Sequence, residues 1–503
     1  MQLHVILLYF HTFRPISTHL RRCRDHAWGI GKQKARVSIY AVDCWSLTST
    51  VTVVHSSQVQ VNSATHRIRF TMWAASVITI SALLCACVTH TRPSQDRAPE
   101  SLPLPPADLP DSYQSASQLL STYDRPLQAY AMMERVVAKG ASEFRQPLAQ
   151  FSTMLGDEKT ALILERTAFR LPANPKPAKF DPIPGQRIDT LDAISAAAHG
   201  KRVVILQESH FRQRHRAFAH LLALRLRKEG FTHLGAEAFN NCAKLPQNKS
   251  DAPHLQLGFY TADPLFGDLV RNALSAGYSL FCYEQTILQQ APADADWKAG
   301  IAARESAQAG NIKKILDENP NARLFIYAGG SHGLKVPDGV GNEWMGMRLA
   351  KLAGIDPLVI EQSVGTPSLS AEHDLPFRRS VEHLESGSAA YVVRQPNGEF
   401  VTQRGYDISV FHPRVPDVGE RGGWMTMNGY RSPVEFQFAP RAERSLIRAH
   451  FTKEPHDAVA VDQILIPAGN SKATLILPRG EYRITRQFES GYSEALGLSL
   501  VHP

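Results

Sequence analysis

The sequence predicts an α/β fold, with a mostly parallel sheet flanked by helices, a helical region before it and a small β-sandwich-like domain after it. Three observations carry this. Four apolar runs stop abruptly on polar residues: Val203-Val204-Ile205-Leu206 on Gln207-Glu208-Ser209-His210, Leu234-Gly235-Ala236 on Glu237, Leu280-Phe281-Cys282-Tyr283 on Glu284, and Leu324-Phe325-Ile326-Tyr327 through Ala328-Gly329-Gly330-Ser331 on His332. Stretches with helical periodicity, 211–229 and 298–318, lie between them, which is the alternation of a parallel sheet. After Pro433 the pattern changes to short alternating strands at 434–438, 473–477 and 482–485, with turns such as Pro478-Arg479-Gly480.

At 503 residues the chain is long enough for about three domains. Its 43% hydrophobic and 20% charged content is that of a folded soluble protein. The net charge of +8 is misleading, because residues 1–71 hold nine Lys and Arg against Asp25 and Asp43 alone. Beyond them, 46 basic residues face 45 acidic ones. A nucleic-acid partner, which needs a clustered basic face, is therefore not expected.

Residues 1–71 have no sustained helical or strand period and read as a leader outside the native protein, with initiation near Met72. Residues 72–87 read as a signal. The apolar run 73–86 is too short to span a bilayer and has the length of a signal-peptide core. It ends in Leu84-Cys85-Ala86-Cys87 and resembles a bacterial lipoprotein signal, with Cys87 as the lipidated residue behind an aliphatic and a small residue. An ordinary secretory signal or a short buried helix is the alternative. Residues 88–110, with six prolines, form an extended spacer. The expected location is the bacterial cell envelope, lipid-anchored to the membrane and facing the periplasm.

Residues 111–172 read as helical hairpins, from the spacing of Leu127, Tyr130, Met133 and Val137 and of Leu148, Phe151 and Leu155. They are either a binding platform or a packing cap for the next domain, and the cap is favoured because helical pairs need a neighbour to cover their apolar faces. Prolines from Pro172 to Pro184 mark a linker, residues 188–425 the α/β domain and 432–503 the β domain. Without the leader and with Cys87 lipidated, only Cys242 and Cys282 remain. They can form one disulfide in an oxidising compartment, but a buried unpaired Cys282 is the commoner outcome on an apolar strand. No CxxC pair points to a thiolate zinc site.

Ligands of parallel sheets bind beyond the carboxyl ends of the strands, where the four polar endings gather. Glu208 and His210 lie two apart across a turn, so a carboxylate can fix the tautomer of an imidazole that acts as general base. The structural reading of the same pair is a loop acid and a helix-capping histidine. Glu237 ends a buried strand and needs a metal, an arginine or a histidine beside it. Glu284 repeats the pattern more weakly. Glycines around His332 let the backbone approach a ligand closely. Arg304, Gln308 and Asn311 share one helix face. Such a stripe is usually solvated, in keeping with Glu305 and Lys313 nearby, whereas Arg304 alternatively reaches the carboxylates.

Together these residues resemble the superfamily of erythromycin esterase-like enzymes, ChaN-type haem-binding lipoproteins and Tiki proteases. Its Gly-Glu-x-His motif corresponds to Gln207-Glu208-Ser209-His210, its next strand ending in Glu to Glu237, its helical Arg-Asp…Asn to Arg304-Glu305 and Asn311, and its Gly-x-x-His loop to Gly329-Gly330-Ser331-His332. The match covers about 190–425 and includes a late strand in 406–413. Two departures are Gln207 in place of glycine, a side chain expected at the rim of the site, and Glu305 in place of aspartate. The strand endings and the resemblance together give Glu208, His210, Glu237 and His332 as expected catalytic residues, with Glu284, Arg304 and Asn311 binding substrate. The expected function is a membrane-anchored hydrolase in which His210, assisted by Glu208, activates water against an ester or related acyl bond of a small-molecule substrate. The alternatives are a haem- or iron-binding lipoprotein and a metal-dependent protease of the Tiki type, with His210, His332 and Glu237 as candidate ligands of a divalent metal.

Overall fold

The structure, a computed structural model, describes residues 103–168 and 180–502. The leader, the signal with Cys87 and most of the spacer lie outside these residues. Four helices come first, α1 (Tyr113–Ser121), α2 (Pro126–Ala138), α3 (Arg145–Met154) and α4 (Glu158–Ala168). Ser112 caps α1 by accepting from the Ser115 amide at 3.1 Å, and Pro126 opens α2 where its missing N–H is harmless. Their apolar faces, through Leu127, Met133 and Phe151, share a core with Leu255, Ala262, Leu446 and Val459 of later segments.

The α/β region then runs β1 (Gln186–Asp189), α5 (Thr190–Ala197), β2 (Val203–Glu208), α6 (Gln213–Lys228), β3 (His233–Ala236), α7 (Pro264–Ser275), β4 (Ser279–Phe281), α8 (Trp297–Glu318), β5 (Leu324–Gly329), α9 (Met345–Ala353), β6 (Leu358–Glu361), α10 (Pro376–Arg379), β7 (Tyr391–Arg394) and β8 (Ile408–Ser409). Six strands form one parallel sheet in the order β4-β3-β5-β2-β6-β8, while β1 and β7 pair antiparallel apart from it. Every residue of β2 and β5 is buried, as a central parallel strand with both faces covered requires. Val204 and Leu206 pack with Phe218 and Leu222 of α6, and Val203 and Ile205 pack with Ile312 and Leu316 of α8. Burying each such side chain contributes about 1.5–3 kcal/mol.

Register brings the polar endings level. Glu208 pairs with Gly329 across β2 and β5, and Ala236, one residue before Glu237, pairs with Tyr327. Beyond the sheet follow β9 (Arg431–Gln437), β10 (Ser445–Phe451), β11 (Asp462–Ile466), β12 (Lys472–Pro478), β13 (Gly480–Phe488) and β14 (Ser493–Val501). They make a four-stranded antiparallel sheet, β11-β10-β13-β14, and a β12-β9 pair, with one core between them that includes Ile447, Ile464, Leu475, Leu477, Tyr482 and Ile484. Ion pairs join the regions, among them Arg448 to Asp124, Arg271 to Glu454 and Arg444 to Glu134, each at 2.7 Å, and the buried Arg431 to Asp268 at 3.1 Å.

Cys242 and Cys282 are bonded, with Cα atoms 6.0 Å apart, which corrects the expectation of an unpaired Cys282. Neighbouring β3 and β4 place the residue after β4 beside the loop after β3, within bridging range. Among the described residues, no helix is long and apolar enough to cross a membrane.

Candidate functional site

Glu208, His210, Glu237 and His332 converge at the carboxyl ends of β2, β3 and β5. Glu208 is the last residue of β2, and strand alternation turns it toward α6. Its Oε1 lies 2.6 Å from His210 Nδ1, and its Oε2 accepts from the Tyr327 hydroxyl at 2.7 Å and from Arg216 Nε at 3.4 Å. Burial pushes the Glu208 carboxyl up, but Arg216, His210 and Tyr327 together hold it below the ordinary carboxylate range. Arg216 is itself fully buried, binds Asp263 at 2.9 Å and donates to the His210 carbonyl at 3.1 Å. Asp263 in turn caps α7 through the Leu265 and Phe266 amides. The His210 ring stacks on Tyr260, with centroids 3.9 Å apart.

Gly329 joins this pair to the next. Its amide donates to Glu237 Oε2 at 2.6 Å, and a Cβ there would overlap His210 Cε1 and Nε2. Only a bare backbone lets the imidazole and the Glu237 carboxylate close over the end of β5. Glu237 Oε1 binds Arg304 Nη2 at 2.6 Å and faces His332 Nε2 at 3.3 Å. Burial raises the Glu237 carboxyl, yet His332 and Arg304 overcome this and hold it well below the usual range.

His332 Nδ1 faces Glu305 Oε2 at 2.9 Å, and the same oxygen accepts from the Met345 amide at 2.8 Å. Burial lowers the imidazole, but Glu305 and Glu237 outweigh it and raise the ring to about 10. It is cationic at neutral pH. Arg304 Nη1 lies 3.2 Å from His332 Nε2. With both ring nitrogens facing carboxylates, we read that approach as two donors sharing Glu237 Oε1 rather than as a bond between them. Glu284 receives Arg304 through Nε at 3.0 Å and through Nη2, and Gln308 Nε2 at 3.0 Å. Arg304 thus bridges Glu237 and Glu284 with its planar fork.

Two expectations need correction. Asn311 donates to the Tyr283 and Glu284 carbonyls, each at 3.1 Å, and exchanges bonds with Gln289. Its carboxamide is committed to holding the loop after β4, so it positions Glu284 rather than meeting a substrate. Gln207 is not at a rim. It is 8% exposed, within β2, and points to the face opposite Glu208, where its Oε1 has no partner among the described residues. The solvated reading of the α8 stripe also fails at Glu305, which is 1% exposed and holds His332.

Sequence reasoning missed Arg216, Tyr260, Tyr327 and Glu361. Only Tyr327 carried a signal, as a hydroxyl inside an apolar strand. Glu361 ends β6 with a carboxyl 2% exposed, whose Oε2 accepts from the Ser363 amide at 2.9 Å and the Val364 amide at 3.2 Å. Burial pushes it up to about 7.

The donor set does not fit a metal. Glu237 is occupied by Arg304 and Gly329, His332 faces a carboxylate from each nitrogen, and the Arg304 guanidinium stands between the acids. Among the described residues, no group of three His, Cys, Asp or Glu is arranged to hold an ion. The same commitments of His332 leave it unsuited as an axial ligand to haem.

No family model matches the chain, and no curated protein does. Among solved structures, the type III effector HopBA1 is similar at 15% identity and a TM-score of 0.29, over 48% of this chain and 99% of that one. RRSP, a MARTX toxin effector domain from Vibrio vulnificus CMCP6, is similar at 16% identity and a TM-score of 0.25, over 32% and 34%. A structure described as bacterial protein toxins is similar at 12% identity and a TM-score of 0.27, over 41% and 39%.

Proposed function

We propose that the chain is a hydrolase of the erythromycin esterase-like, ChaN and Tiki superfamily, acting on an ester or related acyl bond of a small molecule. The observation that carries this is the 2.6 Å contact between Glu208 and His210 Nδ1, with Glu208 kept ionised by Arg216 and Tyr327. A carboxylate on Nδ1 fixes the tautomer in which Nε2 is the basic nitrogen, and it stabilises the imidazolium that forms. His210 Nε2 takes a proton from water as the water oxygen attacks the acyl carbon. The C–O bond to the alcohol then breaks, and the leaving oxygen receives that proton. Arg304 and His332 supply positive charge beside the developing oxyanion, and Glu237 and Glu284 hold the guanidinium in place.

The commitment of Glu237 and His332 to protein partners supports a metal-free mechanism over the protease reading through a divalent ion. The superfamily resemblance and the signal-like segment ending at Cys87 support an envelope lipoprotein, and the Cys242–Cys282 bridge supports an oxidising compartment. Turnover of a panel of esters and lactones in oxygen-18 water tests the reaction. Label in the product acid supports water attack at the acyl carbon. Absence of any turnover together with stoichiometric haem uptake, seen as a Soret band, supports the binding-protein reading instead.

A further inference from the structure

Against α6, and sharing no lining residue with the catalytic cluster, lies a separate cavity of about 70 Å³, with room for several water molecules. Its walls are mostly apolar, with Phe218 and Leu221 from α6 and Met427 and Trp424 from the segment before β9. Its mouth is formed by Asp189, Ser388 and Asn428, all exposed, and the Ser388 hydroxyl reaches Asn428 Oδ1 at 3.4 Å across it. Met427 and Asn428 both adopt left-handed backbone, with φ of 47° and 55°, a strained conformation that sets this wall.

Into this apolar space projects Arg214, 8% exposed. It has no ion-pair partner among the described residues. One N–H is given to the Pro413 carbonyl at 2.9 Å, and Trp424 covers one face at 5.5 Å. A guanidinium carries five donors, so most of the fork finds no protein acceptor among the described residues. Glu158 and Glu385 act on it through space and are engaged elsewhere, Glu158 with Trp424 Nε1 and Glu385 with Arg378. Burial pulls Arg214 down to about 10, which still leaves it cationic at neutral pH. A buried charge with no carboxylate in contact is unfavourable, and a carboxylate in contact is what a ligand would supply. The Thr190 hydroxyl, 1% exposed and without a partner among the described residues, lines the same cavity.

We infer that this cavity binds a small organic monocarboxylate with a short apolar tail, its carboxylate on the Arg214 fork and its tail against Phe218, Leu221 and Met427. One guanidinium in an apolar setting matches one negative charge, and its planar fork matches a carboxylate. The inference does not depend on the proposed hydrolase activity, since no residue of the catalytic cluster lines the cavity.

Hexanoate is the probe, titrated into the full chain by calorimetry and by tryptophan fluorescence, which Trp424 reports. Saturable binding is expected for hexanoate, but not for hexanol or inorganic phosphate. Arg214→Gln should weaken it about tenfold or more through the lost charge-assisted bonds. Ala217→Phe, which fills the cavity from α6, should abolish it and keeps the test open should Arg214→Gln fail to fold. His210→Ala should bind as the wild type does. The inference is overturned by no saturable binding at millimolar hexanoate, by equal binding of hexanol or phosphate, or by hexanoate binding that survives Ala217→Phe. Binding lost in His210→Ala but kept in Arg214→Gln would place the ligand in the catalytic cleft and also overturn it.

Discussion

Glu208 Oε1 and His210 Nδ1 lie 2.6 Å apart at the end of a fully buried strand, and every other contact of Glu208 keeps that carboxylate charged. Arg216 and Tyr327 occupy Glu208 Oε2, so the carboxylate cannot turn away from the imidazole. Tyr260 on one ring face and Gly329 along one edge fix the remaining freedom of His210. These contacts hold the pair in one orientation.

The approach of His210 to Gly329 gives the sharpest mutational test of that orientation. Gly329→Ala places a methyl group against Cε1 and Nε2 of the imidazole and 3.1 Å from Glu237 Oε2. Overpacking of this kind costs about 1–3 kcal/mol of stability, and displacing the base by ~1 Å costs about 10²-fold in turnover. Steady-state kinetics with a thermal melt check both, and wild-type turnover in Gly329→Ala would contradict the fit.

Glu361 predicts a pH dependence of stability. Burial raises its carboxyl from 4.5 to about 7, so the folded state holds a proton that the unfolded chain releases earlier. Stability attributable to this group therefore falls as pH rises from 4.5 through about 7, by ~3 kcal/mol once the carboxyl is ionised. Glu361→Gln removes the slope. Denaturant midpoints at about pH 5 and about pH 8 should differ less in the variant than in the wild type, and parallel profiles would rule the assignment out.

The bridge between Cys242 and Cys282 closes a loop with a sequence separation of 40, worth about 4 kcal/mol in the chain-entropy view. It also pins the segment two residues before Glu284. Reduction, or the double change to serine, should lower the denaturation midpoint and reduce turnover together. Two titratable thiols in protein purified without reductant from an oxidising compartment would be the opposite result.

Lipidation at Cys87 is the prediction for the segment before the described residues. Cys87→Ala should release the protein from membranes of a bacterial host, and labelled palmitate should enter the wild type alone. Unlabelled, membrane-associated wild type would count against the signal.

The sheet was legible because a buried parallel strand must be apolar until it stops, so the residues after each stop mark the carboxyl ends. That placed Glu208, Glu237 and His332 at one level. What could not be read was which side chains close the cluster. Arg216 lies inside a helix pattern crowded with arginines and histidines, and Tyr260 in a loop without periodicity. Glu305 looked solvated beside Lys313, yet α8 turns it inward to His332. Asn311 stands on the expected face but spends its amide on backbone carbonyls. Cys282 was misjudged because pairing depends on the neighbour of β4 in the sheet, and periodicity does not specify neighbours.

The central claim is that His210, held by Glu208, is the base that activates water. It is tested most directly by kcat/KM of His210→Ala, on an ester that the wild type hydrolyses, beside circular dichroism spectra of both proteins. The predicted result is a loss of about 10²–10⁴-fold with an unchanged spectrum. Turnover within a few-fold of the wild type in a folded His210→Ala protein would contradict it.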